Sequence, residues 1–201
     1  MPGVELLVAI AAGYLIGAIP SGVLIGRLRG VDPRESGSGR TGTTNAIRTL
    51  GLGPAVGVAV LDVAKGIAAV LVAAVIGPDP WAGAVGGVAA VIGHVKSVFI
   101  GFDGGRGVAT GAGVMLVLAP LALLVALPEM VLLIWGTRLV SLASLSTATT
   151  VAIVTAVLYL VGWIGSEVAV AATLIGVVVV LAHLDNIQRL LAGTERRIGS
   201  G

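Results

Sequence analysis

The sequence contains no cysteine, and charged residues make up only 11% of its 201 residues. Without cysteine there is no disulfide framework, and cysteine and histidine do not occur at metal-ligand spacing. A soluble domain carries roughly 25% charged residues, so this chain has too few to cover a water-facing surface. Apolar residues reach 57%, and the mean hydropathy is +1.09. These values predict an all-α polytopic membrane protein whose first partner is the lipid bilayer.

The apolar residues are grouped in seven segments, and a spanning helix needs about 20 of them. Turns are predicted at Gly77-Pro78-Asp79-Pro80, at Pro128-Glu129 and at Gly165-Ser166-Glu167. We expect one seven-helix transmembrane domain over residues 1–201, with the first segment retained because no basic region precedes it. The fifth segment is the weakest prediction, because Arg138 interrupts it. The segments cover residues 4–26, 54–77, 81–99, 107–127, 129–145, 148–164 and 167–183.

Positive charge collects on one side of this seven-helix arrangement. The arginines fall in or beside residues 27–53, 100–106, 138–147 and 184–201, whereas the opposite turns hold only acidic residues. The positive-inside rule therefore predicts an N-terminus outside and a C-terminus in the cytoplasm. The net charge is only +2, and no basic run is long enough to predict binding to nucleic acid.

Two glycine-rich segments on the predicted cytoplasmic side carry arginine. In the first glycine loop, residues 36–45, glycines and hydroxyls surround Arg40, and in the second, residues 101–107, glycines surround Arg106. Converging backbone N–H groups, hydroxyls, arginine and a helix start bind phosphate together. A flexible connecting loop explains each segment about equally well, but two on one face favour phosphate binding. The candidate residues are Ser36, Gly37, Ser38, Gly39, Thr43, Asn45, Arg48, Gly104, Gly105, Arg106 and Gly107.

Other polar residues lie at or inside the apolar segments. His183 and Asn186 are three residues apart at the end of the last segment, where they could contact a phosphate or act in acid–base chemistry. An interfacial polar cap is the equal alternative. Asp62 and Lys65 can pair at helical spacing, and charges inside membrane segments indicate function by default. A purely structural ion pair is the alternative for Asp62 and Lys65. For His94, Ser141 and Ser144, the alternative is hydrogen bonding between helices.

An activated protein nucleophile is missing from this set, since no Gly-x-Ser-x-Gly sequence occurs. Phosphate-binding loops without a nucleophile suggest direct transfer between two bound substrates. Proximity can supply roughly 7–11 kcal/mol of such a barrier, and cationic donors would stabilise the developing charge. We expect no metal and no cofactor.

In order and spacing, these motifs resemble the bacterial acyl-phosphate:glycerol-3-phosphate acyltransferases of the PlsY type. The resemblance runs nearly end to end, and family members have seven helices and cytoplasmic motif loops. The segments that carry it are Gly17-Ala18-Ile19-Pro20-Ser21-Gly22, residues 37–48, Leu61-Asp62-Val63-Ala64-Lys65-Gly66, Gly93-His94, residues 98–110, residues 140–144 and residues 183–195.

The resemblance implies transfer of a fatty acyl group from acyl phosphate to the 1-hydroxyl of glycerol 3-phosphate, which gives lysophosphatidic acid and phosphate. It also implies a multi-pass protein of the bacterial inner membrane with a cytoplasmic active face, supplied by a soluble acyl-phosphate-forming enzyme. By motif position, Ser38, Asn45 and the surrounding glycines would hold phosphate. The residues that would bind glycerol 3-phosphate are Arg48, Arg106, Ser144, His183 and Asn186.

The chain departs from the family pattern at five positions. Arg40 replaces a usual asparagine, Ser97 a usual proline, and Leu184 a frequent arginine. Asp103 and Arg106 both replace lysine. Arg106 keeps its charge with a different geometry, whereas Asp103 reverses a charge beside the predicted anion site.

Two other functions were compared with acyl transfer. A transporter or flippase for a phosphorylated metabolite would suit the glycine-rich helices and the intramembrane Asp62 and Lys65. Transporters usually bind near the midplane between repeats, whereas here the motifs lie at one surface and no repeat is visible. A non-catalytic subunit that binds anionic lipid would need neither the paired glycine loops nor His183 and Asn186.

Overall fold

The computed structural model describes residues 2–199, and every regular element in that range is helical. The chain divides into two compact units, Met1–Leu118 and Ala119–Gly201. The all-α membrane class predicted from composition is confirmed.

The first unit contains six α-helices and one short 3-10 helix within the described range. α1 and α2 are separated at Ile19-Pro20, because proline lacks the N–H that a continuous helix would need. The elements are α1 (Pro2–Ala18), α2 (Ser21–Arg27), α3 (Thr43–Leu50), α4 (Leu52–Ile76), α5 (Pro80–Val95), the 3-10 helix (Val98–Ile100) and α6 (Val108–Leu118).

Small residues let α1 and α5 approach closely. A Cβ atom added at Gly13 would overlap the backbone of Gly86, and one added at Gly17 would overlap that of Ala90. From the other side, a Cβ at Gly93 would overlap the carbonyl of Tyr14. Close backbone approach through small residues is typical of helix packing in membranes. It places the C-terminal end of α5, with His94, beside the break between α1 and α2.

The second unit contains α7 (Pro120–Thr137), α8 (Val140–Leu160), α9 (Ser166–Ala182) and α10 (Leu184–Leu191). α7 ends at Thr137, and the next residue, Arg138, adopts a left-handed conformation with φ of 61°. The chain bends by 62° between α9 and α10. His183 lies at this bend.

The turn predicted at Pro128-Glu129 is wrong. Both residues lie inside α7, and the chain instead turns at Ala119 and at Arg138-Leu139. Proline is tolerated in membrane helices because neighbouring groups satisfy the freed carbonyls. Glu129 is therefore not in an outer turn, and its carboxylate accepts a hydrogen bond from Ser146 on α8. The predicted boundaries of the fourth, fifth and sixth segments shift accordingly.

Within residues 2–199, five helical stretches are long and apolar enough to cross a membrane, and the bent pair α9–α10 makes a sixth if it forms one span. α6 is apolar but has only 11 residues. The count of seven spans and the outside N-terminus stay predictions.

Candidate anion-binding loops and polar clusters

Asn45 organises the first glycine loop. Its side-chain amide donates to the carbonyls of Pro33 at 2.6 Å, Arg40 at 2.8 Å and Ser36 at 3.3 Å. Its Oδ1 atom accepts from the backbone N–H of Ser38 at 2.8 Å. The buried side chain of Asn45 is thus used to shape the loop around Ser38.

The remaining predicted residues of the first glycine loop lie around this scaffold. Gly37 and Gly39 have φ of 65° and 71°, which glycine adopts without strain. The expected helix start is confirmed, since α3 begins at Thr43. Arg48 lies one turn after Asn45 on α3 and is exposed, whereas Ser36 is exposed and Ser38 half-buried. The loop therefore presents hydroxyls and backbone at a helix start, with an arginine nearby.

The second glycine loop is fixed against the end of α5. The N–H groups of Gly104 and Gly105 donate to the carbonyls of Val95 and His94, both at 3.1 Å. A Cβ at Gly105 would overlap the His94 ring, so only glycine fits there. Gly104, Gly105 and Gly107 are buried, and Arg106 stands two residues before the start of α6 at Val108. The predicted position of Arg106 at a helix N-terminus is confirmed.

Asp62, Lys65 and His94 form one buried cluster between α4 and α5. The Lys65 ammonium lies 2.9 Å from Asp62 Oδ1, which confirms the predicted pairing. His94 Nδ1 lies 3.5 Å from the same carboxylate oxygen. The three side chains were predicted to bind substrate, but in the structure they face one another. Through His94, which touches Gly105, this cluster supports the second glycine loop.

The cluster also reaches the break between α1 and α2. Lys65 donates to the carbonyl of Ile19 at 2.9 Å, and the Ser97 hydroxyl donates to the carbonyl of Ala18 at 2.5 Å. Carbonyls at a helix end lack an intrahelical partner, and an unsatisfied one is costly in lipid. Ser97, which departs from the family pattern, is thereby given a structural role.

An ion pair joins the two glycine loops. Arg40 Nη1 donates to Asp103 Oδ1 at 2.7 Å across 63 residues of sequence. The neighbouring Arg34 instead binds Asp32 through both of its carboxylate oxygens, and these hydrogen bonds lower the pKa of Asp32 to about 2. Arg40 is therefore the arginine of this region that pairs with Asp103.

In the second unit, the carboxylate of Glu195 accepts hydrogen bonds from three polar side chains, two of which were predicted site residues. Glu195 Oε1 accepts from Ser141 at 3.0 Å and from Asn186 at 2.6 Å, and Oε2 accepts from Arg189 at 2.8 Å. Glu195 was not among the predicted site residues. The only sequence signal for it was its place in Gly193-Thr194-Glu195. It holds the segment after α10 against α8.

His183 and Ser144 are both buried in this unit. His183 Nδ1 lies 2.8 Å from the Val179 carbonyl, so this nitrogen carries a proton and donates. In the neutral ring, Nε2 is then the acceptor. The Oδ1 atom of Asn186 is buried and has no hydrogen-bond partner among the described atoms. His183 lies at the bend and is the N-cap residue of α10, where its carbonyl accepts from the Ile187 N–H at 2.9 Å, so the three-residue spacing of His183 and Asn186 falls on the first turn of α10.

The Glu195 contacts predict a pH-dependent contribution to stability. Burial raises the pKa of Glu195, but hydrogen bonds from Asn186, Arg189 and Ser141 outweigh it and leave the pKa below its usual range. A lowered folded-state pKa stabilises the protein above the unfolded value, about 4.3, and this stabilisation is lost as pH falls through the folded value. Glu195→Gln should therefore lower the Tm at pH 7, and the gap from the unmodified protein should narrow below about pH 4.3. A gap that does not change on acidification would contradict this assignment.

Comparison with known proteins identifies the chain. Its fold and loops define a multi-spanning membrane protein that presents arginine at glycine-rich helix starts. A family model described as glycerol-3-phosphate acyltransferase matches residues 7–193. The chain therefore belongs to the glycerol-3-phosphate acyltransferase family, as the motifs predicted.

Curated relatives with that name cover nearly the whole chain. The glycerol-3-phosphate acyltransferase of a Synechococcus species is 45% identical over 195 residues, which is 96% of this chain and 95% of the relative. Glycerol-3-phosphate acyltransferase 1 of Deinococcus radiodurans is 44% identical over 193 residues, 96% of each chain.

A solved structure with the same fold also matches. The crystal structure of PlsY, an integral membrane glycerol 3-phosphate acyltransferase, in its glycerol 3-phosphate form superposes with a TM-score of 0.87 at 37% identity. The match covers 97% of this chain and 96% of PlsY. PlsY in its lysophosphatidic acid form gives a TM-score of 0.86.

Proposed function

We propose that the chain transfers a fatty acyl group from acyl phosphate to the 1-hydroxyl of glycerol 3-phosphate, as the first step of phospholipid synthesis. Family membership supports acyl transfer to glycerol 3-phosphate and favours an enzyme over a transporter or a lipid-binding subunit. The observation that carries the proposal is the second glycine loop, which places Arg106 before α6. The expected products are lysophosphatidic acid and inorganic phosphate.

In the first unit, two loops suit phosphate groups. Ser38 and the glycines of the first glycine loop lead into α3, and at the start of that helix N–H groups and the helix dipole favour an anion. Arg48 on α3 and Arg106 before α6 would supply charge-assisted hydrogen bonds. Asn45 and the Asp62–Lys65–His94 cluster support these loops from beneath, and we assign them a positioning role.

In the second unit, buried polar atoms suit the glycerol moiety. The unpartnered Asn186 Oδ1 can accept from a hydroxyl, and Ser144 can donate or accept. Nε2 of a neutral His183 would accept from a hydroxyl of glycerol 3-phosphate, because Nδ1 donates to Val179. We propose these three residues, with Ser141 held by Glu195, as contacts for glycerol 3-phosphate.

The reaction needs no protein nucleophile. The glycerol 1-oxygen forms a bond to the acyl carbon, the bond from that carbon to the phosphate oxygen breaks, and the hydroxyl proton goes to the departing phosphate. Arginine and backbone donors stabilise the negative charge that develops. The donor phosphate thus acts as its own base.

The proposed setting follows from the same features. The chain is an integral membrane protein, and we place its loops on the cytoplasmic face of a bacterial inner membrane because the arginines lie on that side of the predicted topology. The acyl phosphate would come from a soluble enzyme that forms it.

Donor choice tests this function. The purified protein in detergent should convert glycerol 3-phosphate and palmitoyl phosphate to lysophosphatidic acid, with one phosphate released for each product molecule. Palmitoyl-CoA, as the matched donor, should give no product. Product from palmitoyl-CoA at an equal rate would contradict the acyl-phosphate assignment, and no product from either donor would contradict the enzyme itself.

A further inference from the structure

The pair formed by Arg40 and Asp103 has a consequence for substrate binding. Asp103 is the only acidic residue in the two glycine loops, and it lies three positions before Arg106. An unpaired carboxylate there would oppose the binding of an anion. The side chain of Asp103 is 68% exposed and that of Arg40 is 32% exposed, so burial does not hold the two groups together.

Both partners are held by their backbones. The carbonyl of Arg40 accepts a hydrogen bond from the buried Asn45, and Gly104, next to Asp103, donates to Val95. A typical surface ion pair gains little, partly because two long side chains must be ordered. Anchored backbones do not remove that side-chain cost, but they keep the two charged groups within reach of each other. This pair is therefore better placed to persist than an ordinary surface pair.

Arg34, which precedes the first glycine loop, has a different direct partner. Arg34 is held by Asp32 through contacts of 2.6 to 3.1 Å. Arg34 acts on Asp103 through its charge alone, whereas Arg40 donates a hydrogen bond to this carboxylate at 2.7 Å and is its direct partner. With that charge cancelled, Asp103 no longer opposes an anionic substrate at the second glycine loop.

We propose that Arg40 neutralises Asp103 and thereby keeps the affinity of the loops for a phosphate-bearing substrate high. This inference rests on the proposed function, because it concerns the same loops. Arg40 acts through Asp103 and is not assigned a contact with substrate.

A double-mutant cycle tests the inference. The proteins compared are the unmodified chain, Arg40→Gln, Asp103→Asn and the double variant. Arg29→Gln is the charge-matched control, because Arg29 also lies between α2 and α3. Arg40→Gln should raise the KM for glycerol 3-phosphate about fivefold with little change in kcat, the effect of one uncompensated charge near the surface. Asp103→Asn should not raise the KM, and the double variant should return to within about twofold of the unmodified value. The increase in KM caused by Arg40→Gln should be smaller at high salt, because salt screens the charge of Asp103.

Thermal stabilisation by inorganic phosphate provides a readout that does not need turnover. Arg40→Gln should require several-fold more phosphate than Arg29→Gln for the same shift in Tm, and the double variant should not. If the effects of the two single substitutions simply add, or if Arg40→Gln behaves like Arg29→Gln, the inference is overturned. An unmodified protein without turnover would contradict the proposed function, while the phosphate titration would still decide the role of the pair.

Discussion

Replacing Asp62 by leucine is expected to destabilise the protein by about 3–5 kcal/mol, the usual result when one partner of a buried ion pair is removed. The side chains of Asp62 and Lys65 are only 2% and 6% exposed. Without Asp62, the Lys65 ammonium would keep the Ile19 carbonyl but no opposite charge. His94 would also lose the carboxylate that it faces, so the support beneath Gly105 should loosen.

The double variant Asp62→Leu/Lys65→Met separates charge from packing. Replacing a buried ion pair by apolar residues of similar volume is often neutral or stabilising, so the double variant should recover most of the lost stability. Glu35→Gln removes one acidic charge from an exposed position and serves as the control. The free energy of unfolding in detergent micelles is measured for the unmodified protein, the single variant, the double variant and the control. A single variant as stable as the double variant would show that the Lys65 charge is satisfied without Asp62.

Replacing Arg106 by alanine is expected to lower kcat/KM for glycerol 3-phosphate about 10²–10³-fold, as loss of one preorganised donor to developing charge does. The fold should be little affected, because the loop is held by the backbone of Gly104 and Gly105. Arg106→Lys should retain more activity than Arg106→Ala, since it keeps the positive charge and loses only the planar guanidinium that can donate two parallel hydrogen bonds.

The control for this prediction is Arg27→Ala, at the exposed end of α2. It removes one positive charge without touching either glycine loop, and its kcat/KM should stay near that of the unmodified protein. Equal losses in Arg27→Ala and Arg106→Ala would mean that net positive charge matters rather than the position of Arg106. An active Arg106→Ala protein would exclude the residue from the site.

Helix positions were predictable where apolar runs end in strong turn signals. Pro80 starts α5, and Ser166 starts α9 directly after Gly165. The boundary between α7 and α8 was predicted wrongly, because the residue types that usually mark a turn do not coincide with the actual turn there. Pro128 resembles a turn but lies inside a helix, whereas the actual turn at Arg138 has neither glycine nor proline.

The glycine loops and the Asp62–Lys65 pair were predictable because their residues are adjacent or at helical spacing. Contacts between distant residues were not. Nothing in the sequence joins Arg40 to Asp103 across 63 positions, or Ser141 to Glu195 across 54. The role of Asn45 was also hidden, because one side chain bonds the loop at four points that only folding brings together.

Direct transfer between two bound substrates is the central claim, and phosphate release from palmitoyl phosphate tests it most directly. With the protein at high concentration and glycerol 3-phosphate omitted, we expect no burst of phosphate and no change in the mass of the intact protein. Adding glycerol 3-phosphate should start phosphate release in step with lysophosphatidic acid. A burst equal to the protein concentration before that addition, together with a protein heavier by one acyl group, would reveal a nucleophile and contradict direct transfer.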